Sequence, residues 1–307
     1  MRTLIFSTLL CGALSAQVGG PLIGYVPEGA HIRPMYGLPA AGSIGRALDA
    51  GRDFSLTAIA PNQNFVLATT ADTGEVTVYK PGSGLSTVSG AAIRPDALAI
   101  SPSGTSAALW FPLTGKLQIV TGLPDSPSVR TIDASFLDAS PLSIAVSDDG
   151  QWAAGLWSSG VYAFGPSSVV IPLQTDSGVV ALSFFHNNHD LALATASRAT
   201  TIADVGGATQ TSVLYDYSAL GLSPRAVATS FDNRVTVVAD SAGTLVNIAN
   251  AAATMVNCGC SPTGLYGLGG ALFRLNAPGR QELKIFDAAQ GAVLIVPPAL
   301  NLAGGRQ

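Results

Sequence analysis

The chain has 307 residues, of which 48% are hydrophobic and only 11% charged, with a formal net charge of −4. That balance excludes a disordered, strongly solvated chain and predicts a large share of residues packed on both sides. Lysine occurs only at Lys80, Lys116 and Lys284, and no basic run marks a nucleic-acid partner or an anionic membrane surface.

The N-terminus reads as an export signal. Arg2 supplies a minimal positive region, Leu4 to Leu14 is mostly apolar, and Leu14-Ser15-Ala16 ends in a small residue suited to cleavage before Gln17. Residues 1–16 are therefore expected to be a signal peptide, and 17–307 a single soluble domain that is secreted or periplasmic. Cys11 resembles a lipoprotein acylation site only loosely, because Leu10 stands where that signal wants a small residue. No later stretch approaches the roughly 18 apolar residues a membrane-spanning helix needs.

Residues 17–53 offer three strand-like runs, near Ile23, Ile32 and Ile44. From Phe54 to Pro298 one pattern then returns. "VSDDGQWAAGLW" at Val146 places two short apolar runs around Asp-Asp-Gly, and related segments are "IAPNQNFVLATT", "ISPSGTSAALW", "FFHNNHDLALAT", "TSFDNRVTVVAD" and the weaker "YGLGGALFRLN". Each has a turn rich in Asn, Asp, Gly, Ser or Pro between strand-like runs, and Asp149-Gly150 predicts a two-residue hairpin turn with positive φ. With Ala60, Ser101, Ser147, Phe185, Ser230 and Leu268 as equivalent positions, the intervals are 41, 46, 38, 45 and 38 residues, a mean of 41.6. Pro95, Pro141, Pro224 and Pro262 each stand six positions before the reference residue, where proline would end a loop and launch a strand.

Two further β-rich runs complete each unit, such as "EVTVYK" then "STVSGAA", or "KLQIVTG" then "SVRTIDA". A period near 40 residues with four strands predicts an all-β chain folded as a β-propeller of four-stranded antiparallel blades. The 291 residues after the signal hold seven such units. Residues 54–298 supply six, and 17–53 a partial first blade. The second runs ("FVLATT", "LALAT") barely alternate apolar with polar, as expected when neighbouring blades cover both faces. Trp152 and Trp157 differ by an odd number and should point to opposite faces.

Candidate site residues follow from this frame. Arg52, Asp53, Arg94, Asp96 and Arg225 lie in loops entering the innermost strands, where they could line one mouth of the channel and bind an anionic or hydroxylated ligand. His186, His189 and Asp190 carry metal-like chemistry, but His-x-x-His on a tight turn is imprecise and no remote third ligand is evident, so the segment reads as a turn first. Cys258 and Cys260 in "NCGCS" fit neither zinc nor redox spacing. Either Gly259 turns the backbone so that they bridge, or they are two part-buried thiols at a strand end.

The turns "SPSG" and "SDDG", followed by "GKLQIV" or "GTLVNIA", resemble those of secreted bacterial propellers of the broad WD-repeat and YVTN-repeat superfamily, over residues 54–298. The resemblance implies the propeller fold and carries no activity with it. His is limited to His31, His186 and His189, and Glu to Glu28, Glu75 and Glu282, and no Gly-x-Ser-x-Gly elbow or phosphate loop is present. The expectation is a monomeric, non-catalytic binding module without a cofactor, whose partner is a protein or a cell-envelope glycan. The alternative is a channel-centred hydrolase of the lactonase type, distinguished by acidic and imidazole groups converging in the channel.

Overall fold

The computed structural model of the protein describes residues 20–298, except 39–40, 138–139, 174, 176–177 and 278–280. The export signal read over 1–16 and the C-terminal "NLAGGRQ" lie outside the described residues. Seven antiparallel sheets follow one another along the chain, each built from contiguous sequence, and they form a seven-bladed β-propeller. Six sheets have four strands, and blade 1 has three among the described residues. Those three, Leu22–Glu28, His31–Leu38 and Ala41–Ile44, are the runs read near Ile23, Ile32 and Ile44.

The first strand of each blade lines the central channel: Phe54–Ile59 in blade 2, Ala97–Ile100 in blade 3, Ser143–Val146 in blade 4 and so on to Tyr266–Gly267 in blade 7. From blade 1 to blade 6 these inner strands touch their neighbours in turn. The ring closes where Ala41–Ile44 of blade 1 meets Ala292–Val296 of blade 7. Among the described residues, no strand of one terminus joins the sheet of the other.

The second strands Val66–Thr70, Ala153–Trp157, Leu191–Thr195 and Thr236–Asp240 are buried at every position, and so is Ser106–Phe111. Their cause is visible in the packing. Seven apolar clusters occupy the seven seams between neighbouring blades, and residue parity decides which seam a side chain enters. Ala107, Leu109 and Phe111 pack towards blade 2, whereas Ala108 and Trp110 pack towards blade 4. Trp152 enters the seam with blade 5 and Trp157 the seam with blade 3, on opposite faces as their odd spacing requires. Each indole occupies room left by glycine. A Cβ on Gly155 would lie 2.2 Å from the Trp157 ring, and one on Gly206 would collide with Trp152.

The connection after the inner strand is longer than the two-residue turn expected of Asp149-Gly150. The Gly150 N–H donates to the Ser147 carbonyl and the Ser147 N–H to the Trp152 carbonyl, so the loop spans Ser147 to Trp152. Only Gly150, at φ 64°, takes positive φ, where the type I′ turn that Asp-Gly favours would need it at both central positions. The physical reason is the serine. Its Oγ accepts from the Trp152 N–H at 3.0 Å, and Ser101 and Ser230 do the same for the Ser106 and Val235 N–H groups at 3.1 and 3.0 Å. A side chain thus satisfies a backbone donor inside a wider loop.

These turns also bond to one another around the ring. Asn62 Nδ2 donates to the Ser103 carbonyl at 3.2 Å, linking blades 2 and 3. The Asp148 carboxylate of blade 4 accepts from the Ser103 N–H and the Asn187 N–H, both at 2.7 Å, and so ties blades 3, 4 and 5. Asn233 of blade 6 accepts from the His186 N–H at 2.9 Å and donates to the His186 carbonyl at 2.8 Å. The Phe231 N–H reaches the Gly270 carbonyl of blade 7 at 2.9 Å. Gln63 closes the circle: its Oε1 accepts from the Tyr25 N–H of blade 1 at 2.8 Å, and its Nε2 donates to the Gly267 carbonyl of blade 7 at 3.0 Å.

Replacing Trp152 or Trp157 with Ala is expected to cost about 3–5 kcal/mol, read as a lowered denaturant midpoint, because each change empties a packed seam. Unchanged unfolding curves for both variants would contradict the seam assignment. Asp148→Ala strands two backbone donors and is expected to cost on the order of 2 kcal/mol or more, while Asp148→Asn keeps an acceptor and costs less. Equal losses for the two would separate Asp148 from the hydrogen-bonded belt.

Candidate functional site

The propeller presents three places where chemistry gathers: the rim where loops enter the inner strands, the opposite face made by the turns after those strands, and the channel between them. The rim carries the five charged residues singled out in the sequence, all exposed. Arg52 is shared between Asp72 at 3.4 Å and Glu75 at 3.5 Å, and Asp53 faces His31 at 3.6 Å. Asp96 accepts a hydrogen bond from the Ser140 hydroxyl at 2.6 Å. Arg94 takes positive φ, 58°, donates its N–H to the Gly74 carbonyl and lays its stem against Gly74. Arg225 is exposed at the start of the blade 6 inner strand. None of the five lines the two channel cavities described below.

The same rim exposes four large apolar side chains around blade 3. Ile93 precedes its inner strand and is 58% exposed, Leu113 tips its second turn at 99%, and Phe136 and Leu142 follow its last strand at 55% and 73%.

On the turn face, His186, His189 and Asp190 do not converge. His189 Nε2 pairs with Asp149 at 2.9 Å, His186 lies 3.7 Å from Asp148, and Asp190 accepts from the Asp204 N–H at 2.9 Å. The His186 ring also packs on Phe231, with centroids 3.7 Å apart. Among the described residues no group of three or more His, Cys, Asp or Glu side chains is placed to hold a metal ion. The two histidines instead meet the two aspartates of the equivalent turn one blade earlier, a pairing across about 40 residues that no local spacing reveals. Burial opposes ionisation of Asp149, yet the Gln151 N–H, the Ser147 hydroxyl and His189 outweigh it and hold this carboxyl below its usual range. The Ser230 hydroxyl and then the Arg234 N–H do the same for Asp232 in the sister turn.

Cys258 and Cys260 are joined as a disulfide with α-carbons 5.2 Å apart, and Gly259 between them takes φ 58°. This ring packs at the seam between blades 6 and 7.

The channel holds two cavities. One, of about 140 Å³, lies towards the turn face among Ile100, Val146, Phe184 and Phe231. The other, of about 460 Å³, reaches from Tyr25 and Thr57 across Ile100 and Ser143 to Tyr266 and Arg274. No Asp, Glu or His is among the described residues lining either. Arg274 is the one charged residue there, 5% exposed, with its guanidinium carbon 4.0 Å from the Tyr266 ring centroid. Sequence reasoning passed over it, because "ALFRLN" reads as an ordinary strand with one polar member.

No family model matches the chain, and no curated protein does. Solved structures do share its fold. The β-propeller domain of Cps50 (Swd1) from Myceliophthora thermophila aligns with a TM-score of 0.58 at 11% identity, covering 80% of this chain and 86% of that one. Apo AztD from Citrobacter koseri gives 0.55 at 11% identity, covering 90% and 94%. Hydrazine synthase from Kuenenia stuttgartiensis gives 0.50 at 12%, covering 96% and 100%. At these identities the likeness is one of fold alone, and the chain is similar to proteins of quite different names.

Proposed function

We propose that the protein is a non-catalytic binding module that acts outside the cytoplasm and docks another protein on the rim where loops enter the inner strands. The observation that carries this reading is four exposed apolar side chains, Ile93, Leu113, Phe136 and Leu142, on the loops at this rim of blades 3 and 4. Apolar groups clustered on one face and bordered by charges such as Arg94 and Asp96 are the anatomy of a docking patch. Their mainly aliphatic character favours a protein over a glycan. The hydrolase alternative needs a general acid or base in the channel, and the lining described above offers neither carboxylate nor imidazole. The extracytoplasmic setting rests on the apolar segment Leu4 to Leu14 and the small residue at Ala16.

N-terminal sequencing of the exported chain is expected to begin at Gln17, and recovery of the chain only in the cytoplasm, with its N-terminus intact at Met1, would remove that setting. The immobilised chain is expected to capture a partner from envelope extracts, with a Leu113→Asp, Leu142→Asp double variant binding at least tenfold more weakly at an unchanged melting temperature. Capture of the same partner with equal affinity by the double variant would move the docking face elsewhere.

A further inference from the structure

Arg274 is a cation in a place that gives it no counter-charge. It ends the second strand of blade 7, Leu272–Arg274, opposite Tyr266 of the inner strand. The corresponding positions in blades 2 to 6, opposite the inner-strand residue two before the turn, hold Leu67, Ala108, Ala154, Ala192 and Val237, all apolar and buried. Arg274 puts a charge where those blades put an apolar core residue. Its Nη1 donates to the Asn276 carbonyl at 2.7 Å, which uses one of five guanidinium donors, and no carboxylate among the described residues lies within ion-pair distance.

A buried charge without a partner is costly, and proteins ordinarily pair such a group or dispense with it. Here it borders the 460 Å³ cavity, whose other polar members are neutral: Thr57, Ser143, Gln63, Tyr25 and Tyr266. Burial pushes the guanidinium down to about 10, still well above neutral pH, so it stays protonated. The cavity therefore combines one permanent positive charge, two phenol rings and apolar walls at Ile59, Ile100 and Ile144, within the size range of small-molecule sites.

We propose that this cavity is a binding site for a small organic monocarboxylate, with the carboxylate on the Arg274 guanidinium and the apolar body against the inner strands of blades 2 to 4. A planar guanidinium matches a carboxylate with two parallel N–H···O bonds, and the absence of other cations in the lining disfavours a multiply charged phosphate. The ligand supplies the counter-charge that the fold withholds. The site is separate from the rim patch and does not depend on a protein docking there.

The test is calorimetric titration of the chain with benzoate and hexanoate, with benzamide and hexanamide as neutral isosteres, and with inorganic phosphate and sulfate as small anions. Binding of the carboxylates, at least tenfold weaker binding of the amides and of both inorganic anions, and loss of carboxylate binding in Arg274→Met are expected. Arg274→Lys keeps the charge but not the fork and should retain binding weakened severalfold. Failure of both carboxylates to bind the unaltered chain, or equal binding of the amides, overturns the proposal without recourse to any variant. Phosphate or sulfate binding more tightly than the carboxylates would assign the site to inorganic anions and overturn the stated class.

Discussion

Everything in this molecule depends on second strands that are apolar on both faces. A single blade cannot bury two faces by itself, so each sheet is stable only between two others, and the seams propagate until the ring returns on itself. That requirement explains a composition with 11% charged residues. The inner and second strands leave little room for charge, which falls mostly on turns, rims and the outer two strands of each blade; Arg274 and Asp240 are exceptions. It also explains the glycines beside Trp152 and Trp157, whose missing side chains leave room for the two indoles in close-packed seams.

Apolar seams are non-directional, and by themselves they would let one blade slide against the next. The belt of turn-to-turn hydrogen bonds supplies the missing direction. Asp148 illustrates how: one carboxylate accepting two backbone N–H groups from the blades on either side fixes three blades at once. Gln63 repeats the device where the chain's two ends meet. Polar residues that look like ordinary turn formers are therefore also the rivets between blades.

This double duty decides what could be read from the sequence. The period near 40 residues, the four runs per unit and the three runs before Phe54 were legible because strand patterning and turn chemistry are local. The turn geometry was not, because Asp-Gly alone does not reveal that Ser147 will close a wider loop with its own side chain. Nor was the meeting of His186 and His189 with Asp148 and Asp149, which depends on the phase of neighbouring blades. Arg274 escaped for a different reason. A lone arginine in a short strand has no periodic signature, and only the ring shows that no acid stands opposite it.

The closure of the ring has a consequence for its cohesion. Among the described residues blades 1 and 7 share no strand, so their seam is held by side-chain packing around Val26, Met35, Leu268 and Val296 and by the Gln63 clasp. Parting that seam breaks no strand ladder, whereas opening a propeller latched by a shared strand must unzip one. Arg274 stands beside this closing seam on the blade 7 side. The first and last blades are thus joined as any two neighbours are, by packing and a polar clasp, so the ring's two ends carry no cohesion that its other seams lack.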